Sequence, residues 1–405
     1  MPETTEPSDP VPWRLAVLAA LLAVTVGIGL SRFAFSALLP VMVEAGWTTG
    51  AEAGYLGAGN LAGYLAGALL GLADLARQRA RVILQVGMLL AAISFVASAF
   101  PLSFEWLLGW RVLAGVTGGV LMVLAAPLVM PLVPEHRRGA MSGVIFAGVG
   151  LGILLSSTVV PLLSADGPAP SWIVLGSFCL IATGIAWSCW PAAAAVEAAA
   201  AAPNEANAMR FELPVIATCL AYALAALGLV PHMVFLVDFV ARDLGQGLAS
   251  GAAFWSLFGI GAVLGPIATG RLADSITPGP ALRLVFLVQV PMVALPALYP
   301  VWPVLAVSSA STGAALTGIV TLTSLRIGEL VLQPQRRTSG WSVATIAFAV
   351  GQAAGGYAFS AVFAATGGNA ASLFPWGAAA FAAAVAVSVS PIWRRGPAPQ
   401  PQAMD

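Results

Sequence analysis

The sequence predicts an all-α polytopic membrane protein, with twelve transmembrane helices arranged as two six-helix, pseudo-symmetric bundles. Three observations lead there. First, 59% of the 405 residues are apolar and 8% charged, against about 45–50% and about 25% in soluble domains. So few charges could not cover a soluble surface of this size. Second, the apolar residues gather in runs near the roughly 20 helical residues that a bilayer requires. Third, short motifs recur between the two halves of the chain. The composition excludes an ordinary cytosolic enzyme and a disordered chain. The balance of 17 basic against 17 acidic residues excludes a nucleic-acid binder, which needs a basic excess. Cys179, Cys189 and Cys219 lie in apolar runs and imply no disulfide framework. With two histidines they form no metal-ligand cluster, and no cofactor is called for.

Residues 1–12 open with MPETTEPSDP, which lacks the basic stretch of a signal peptide and reads as a cytoplasmic tail. The apolar runs follow near 13–43, 51–72, 80–100, 104–131, 140–162 and 171–191, an N-terminal bundle spanning 13–191. The first run is longer than a bilayer needs, so it is expected to tilt or bend near Gly27, Gly29 and Pro40. In the second, Gly59, Gly63, Gly67 and Gly71 recur every fourth residue, a stripe that admits a neighbouring backbone. An alanine-rich stretch, 192–212, ends in polar residues and reads as a cytoplasmic linker. The second bundle, 213–393, holds runs near 213–240, 250–270, 281–299, 303–326, 340–365 and 371–393, and 394–405 is a second tail. All 17 basic residues are arginine, and fourteen fall on one side if the N-terminus is inside. The positive-inside rule then puts both termini in the cytoplasm.

The halves echo each other. Leu72-Ala73-Asp74 after the second run matches Leu272-Ala273-Asp274 after the eighth, and Arg137-Arg138 before the fifth matches Arg336-Arg337 before the eleventh. Gly148/Gly152 match Gly351/Gly355, and Gly57, Gly59 and Gly63 match Gly259, Gly261 and Gly265. Such repeats are a transporter plan, with the substrate held at their interface near the midplane.

Arg32 is the sharpest single feature. It lies eight residues before Pro40, roughly 12 Å along a helix. A charge near the bilayer centre costs at least about 2.5–3.5 kcal/mol, and no acid lies within a helical turn of it. A guanidinium held there suits bidentate binding of a carboxylate or phosphate. The competing reading is a structural arginine bonded to helix carbonyls or snorkelling outward. Asn60 and Tyr64 share a helix face at about the same depth; they either orient a polar ligand beside Arg32 or satisfy each other and a backbone carbonyl. Arg111 either assists anion binding or coupling, or makes helix–helix hydrogen bonds. His232 is the candidate for a coupling proton, against a packing role. Asp238 reads as solvated or gating, and Arg326 with Glu329 as a structural ion pair. Gln352, Tyr357, Trp255 and Phe258 are candidate cavity-lining residues.

Gly71-Leu72-Ala73-Asp74 with Arg77, Arg79 and Arg81 resembles the loop motif of the major facilitator superfamily between its second and third spans, and Gly270-Arg271-Leu272-Ala273-Asp274 resembles its second copy. Arg111, Gly115 and Gly119 are similar to the family's fourth-span motif, and Gly148 and Gly152 with Pro161 to its fifth-span motif. The latter lacks the Gly-Pro pair of the antiporter version, which counts against drug/proton antiport. GIGLSRFAFSALLPVM and GNLAGYLAGALL resemble the YbfB/YjiJ-type branch; the arginine before a proline also resembles the organophosphate/phosphate antiporters. The resemblance implies twelve helices and alternating access, with Asp74, Arg77, Arg81 and Asp274, and Gly148 and Gly152, as conformational elements.

Together these readings give a secondary transporter of a bacterial inner membrane, not an enzyme, moving a small organic anion, plausibly a carboxylate, by alternating access. Its partners are the small-molecule substrate, the lipid bilayer and a proton if transport is coupled; a monomer is expected. The alternatives are drug or metabolite efflux in the same fold and a non-transporting receptor. An intramembrane enzyme would need a nucleophile–base pair or metal cluster that the spans lack.

Overall fold

The computed structural model describes residues 11–134, 137–191, 212–331 and 334–394. The linker expected at 192–212 and most of both tails lie outside these residues. Everything described is helix and short connection. Eleven of the helices are long and apolar enough to cross a membrane, where twelve are expected. They are α1 (Trp13–Glu44), α3 (Ala80–Ser98), α4 (Phe104–Leu132), α5 (Gly143–Asp166, within a longer helix), α6 (Pro168–Trp187), α7 (Leu213–Asp243), α8 (Gly247–Ile276), α9 (Pro278–Leu298), α10 (Trp302–Leu330), α11 (Val343–Ala365, likewise) and α12 (Ala370–Val389). Between α1 and α3 runs a further 22-residue helix, α2 (Gly50–Gly71). It is long enough to span, but its many glycines, Asn60 and two tyrosines dilute its apolar character. Its start is fixed by a reciprocal cap: Thr49 N–H donates to Glu52 Oε2 at 2.7 Å and Glu52 N–H to Thr49 Oγ1 at 3.2 Å.

In lipid, helices gain little from burying apolar surface against each other, so association rests on close packing of small residues. The α2 stripe does this. A Cβ on Gly63 would collide with the Val112 carbonyl and one on Gly67 with the Val116 carbonyl, while α4 answers with Gly115 against Asn60 and Gly119 against Tyr64. The same device joins α8 to α10, where Gly261, Gly265 and Gly313 meet the backbone of Ala310, Ala314 and Phe258. Gly148 and Gly152 press α5 onto Leu21 and Gly29 of α1, as Gly351 and Gly355 press α11 onto Ala223 and Leu227 of α7. Two further pairs join the helices before residue 192 to those after 211. Along α2–α11, Gly356 meets Ala58 and Leu61; along α5–α8, Gly150 meets Gly259 and Val263.

Two helices are irregular at matching places. In α1, residues Thr25–Leu30 form a wide turn in which Ser31 N–H reaches back to Val26 at 3.0 Å, five residues away. The chain turns at Ser31–Phe33 and resumes as Ala34–Glu44, with Pro40 inside it. In α7, wide turns occupy Pro231–Phe235 and Phe239–Asp243. The bend expected near Gly27 and Gly29 is therefore a widened helix rather than a simple kink. Such insertions concentrate at functional sites.

Candidate functional site

A cavity of about 390 Å³ lies between α1, α2, α4 and α5 on one side and α10 and α11 on the other. It runs from Ile28, Arg32 and Phe33 at the break in α1 to Leu72, Met130, Ser324 and Trp341, near the ends where Arg79, Arg81 and Arg326 also lie. Away from that arginine-rich face it is closed. Phe33 meets Trp255 and Phe258 of α8 at ring separations of 6.0 and 6.5 Å. Beyond it the Ser36 hydroxyl donates to the Met233 carbonyl, and Phe235 packs on Phe363 at 5.0 Å. Asp238 is fully buried and bound by Arg242 through two bonds, Nη2 to Oδ2 measuring 2.8 Å. It is therefore not solvated. Asp243 accepts from the Ala370 amide at 2.8 Å.

The break in α1 positions Arg32 in the cavity wall. Its guanidinium sits 4.9 Å from the Tyr64 ring centroid and 5.4 Å from that of Phe33. Nε and Nη2 are buried without a hydrogen-bond partner, and no carboxylate among the described residues pairs with it. Aromatic faces offset part of the cost of a buried cation, but they do not satisfy its N–H groups. Arg32 thus brings to a cavity wall a charge that no described carboxylate compensates.

Of the residues expected to accompany Arg32, Tyr64 does so; Asn60 and Arg111 lie next to it but are engaged elsewhere. Asn60 Nδ2 donates to the carbonyls of Ser31, at 3.3 Å, and Arg111, at 3.0 Å. Arg111 Nη1 donates to the same Ser31 carbonyl at 2.9 Å, with its guanidinium 4.6 Å from the Phe35 centroid. These two side chains tie the broken turn of α1 to α2 and α4, and neither lines the cavity.

The remaining candidates are dispersed. His232 is buried among α7, α10 and α12, with Nε2 2.8 Å from Ser308 Oγ and its ring edge-on to Phe374. Ser308 donates its hydrogen to the Met292 carbonyl at 2.6 Å. It must therefore accept from His232, which places the imidazole proton on Nε2 and leaves Nδ1 bare and buried. Gln352 is buried with Nε2 against Met233 Sδ, and Tyr357 is 48% exposed on the outer surface. Trp255 and Phe258 are buried stacking partners behind Phe33 rather than lining residues. Arg326 pairs with Glu329 at 3.0 Å and also donates to the Trp393 carbonyl. Asp74 and Arg77 begin the short helix Asp74–Gln78, but their side chains lie outside the described set. Arg81 is half-buried at the start of α3, and Asp274 is exposed in the last turn of α8. Gly148 and Gly152 face the widened part of α1.

The sequence reading misses the far wall of the cavity. Thr317, Thr321 and Ser324 of α10 line it, with Thr345, Trp341 and Phe348 of α11. The spacing of the α10 hydroxyls, four and then three residues, places them on one helix face and could have marked them.

Comparison with known proteins fits this architecture. Residues 24–389 match the family described as "Uncharacterised MFS-type transporter YbfB". A protein of Streptomyces lividans described as "Chloramphenicol resistance protein" is 30% identical over 396 residues, covering 91% of this chain and 94% of that one. The crystal structure of the human organic anion transporter MFSD10 (TETRAN) superposes with a TM-score of 0.67 at 18% identity, over 93% of this chain and 99% of that one, a likeness of fold. With its apolar helices, one-sided cavity and near-complete match, the chain belongs to the YbfB-type family of major facilitator transporters.

Proposed function

We propose that the protein moves a small organic anion across a bacterial inner membrane by alternating access, with Arg32 as the anion-binding residue. The observation that carries this reading is a buried guanidinium that lines a cavity with no counter-charge among the described residues. Such a group is costly in apolar surroundings unless a ligand or water completes it. In this reading α2 is a twelfth span, the halves 13–191 and 213–393 are six-helix bundles joined by 192–212, and both termini are cytoplasmic. The arginine-rich face is then the inner one, and the cavity reaches the cytoplasm. The seal from Phe33 outward, where Phe33 meets Trp255 and Phe258 and Ser36 meets Met233, is the closed outer gate. Rocking of the bundles along α2–α11 and α5–α8 would exchange the two states. Asp74, Arg77, Arg81 and Asp274 would bias that exchange from the inner loops.

The test is uptake of labelled phenylacetate by proteoliposomes. Arg32→Gln should abolish it in protein that still folds; undiminished uptake would remove Arg32 from the site. Collapse of uptake with a proton ionophore would establish coupling, and indifference would favour exchange or uniport. A second reading, export of an aromatic drug, is supported by the Streptomyces relative and the apolar lining. It predicts that uncharged chloramphenicol competes with the anion and that Arg32→Gln leaves chloramphenicol transport intact.

A further inference from the structure

The cavity that exposes Arg32 also limits which anions can occupy it. Among the described residues that line it, Arg32 is the sole charged one. Around the guanidinium stand the rings of Tyr64 and Phe33, and the walls beyond are alkyl and aromatic, with Ile28, Met122, Phe146 and Phe348 among them. Besides Tyr64, the described hydroxyl-bearing side chains that line the cavity lie across it, on α10 and α11. Three have already spent their hydrogens: Thr317 donates to the Ala262 carbonyl at 2.8 Å, Thr321 to Thr317 at 3.2 Å and Thr345 to Trp341 at 2.9 Å. They retain acceptor lone pairs. The cavity is therefore polar at two ends of different character, a cationic donor on α1 and, opposite, neutral groups that include these three acceptors, the Ser324 hydroxyl and the Trp341 indole N–H.

We infer, on the footing of the anion-transport reading above, that the cargo is a monoanion with an apolar, ring-sized body and a hydrogen-bond donor at its far end. Its chemical class is a hydroxylated or amide-bearing aromatic monocarboxylate. One guanidinium engages one carboxylate bidentately. A second carboxylate would find no second cation among the described lining residues, and a buried charge without a counter-charge is penalised. A hydroxyl or amide N–H at that end finds the acceptors it needs. The volume of about 390 Å³ lies within the range of small-molecule sites.

The inference is tested by calorimetric binding of four probes of matched shape to the purified full-length protein: 4-hydroxyphenylacetate, phenylacetate, 4-carboxyphenylacetate and 4-hydroxyphenylacetamide. The hydroxylated monoanion should bind most tightly and phenylacetate several-fold more weakly. The dianion should bind at least about tenfold more weakly, the equivalent of 1.4 kcal/mol. Thr321→Val should erase the advantage of the hydroxylated probe. Ser324→Arg, at an exposed position in the cavity mouth, should recover at least about tenfold in dianion affinity by supplying a second cation. A dianion that binds the native protein as well as the hydroxylated monoanion overturns this inference and leaves the anion reading standing. A neutral amide that binds as well as the acid overturns the anion reading itself. Binding of none of the four overturns the inference, and phenylacetate uptake by Arg32→Gln remains the separate test of the reading.

Discussion

Arg32 and Arg111 are both buried arginines at one depth in the same half of the molecule, and they are used in opposite ways. Arg111 holds the Ser31 carbonyl and lies over Phe35. Nε and Nη2 are buried without a partner in both arginines, but Arg32, the residue after Ser31, lines the cavity and Arg111 does not. The difference is made by the widened turn of α1. It turns one carbonyl toward α2 and α4, where Asn60 and Arg111 meet it, and the next side chain toward the space between the halves. A buried arginine that satisfies a broken helix is part of the scaffold. One held beside that scaffold in the wall of a cavity is, in the reading proposed above, the anion-binding residue.

The comparison is broken most directly at Arg32. Arg32→Gln should cut the initial rate of phenylacetate uptake at least about 100-fold, some 2.7 kcal/mol. The melting temperature in detergent should hold or rise, because an unpaired buried charge contributes nothing to the fold. A large fall in melting temperature would make Arg32 structural. Arg111→Gln should show the reverse profile. Loss of the bond to Ser31 should cost about 1–3 kcal/mol of stability, read as a lower melting temperature, with little change in the KM of uptake. Asn60→Leu should destabilise by a similar or smaller amount. Combined with Arg111→Gln it should fall short of additivity, since both act on the Ser31 carbonyl; strict additivity would show that they act independently. The smallest effect is expected at Tyr64. Tyr64→Phe keeps the ring against Arg32 and should change affinity less than about threefold, whereas Tyr64→Leu, which removes the cation–π contact, should cost about 1 kcal/mol.

Much of the scaffold was legible in the sequence. The glycine stripe of α2 announced a close helix contact, which is observed with α4, and the matching glycines of α8 make one with α10. The expected bend of α1 appears where Gly27 and Gly29 stand. The proposed site was legible in part. The depth of Arg32 and its distance from any acid singled it out, and Tyr64 followed from its spacing. Asn60 and Arg111 looked equally suited to a ligand, because spacing gives the face of a helix but not what lies against that face. His232 and Gln352 were chosen as polar groups in apolar runs, yet each is buried among neighbours away from the cavity. The hydroxyls of α10 were passed over because serine and threonine are common in membrane helices and carry no charge to draw attention.

By itself, the sequence determined a chain of membrane-length helices, short motifs that recur between its halves, small-residue contact stripes and two arginines inside apolar runs. These follow from local rules, since hydropathy, spacing and the cost of a buried charge depend on residues close together in the chain. Only the tertiary structure decided which arginine faces a cavity, which polar groups complete one another and what stands opposite Arg32. Those outcomes depend on a carbonyl freed by a break in one helix and on side chains supplied by helices nearly three hundred residues away, which no local pattern encodes.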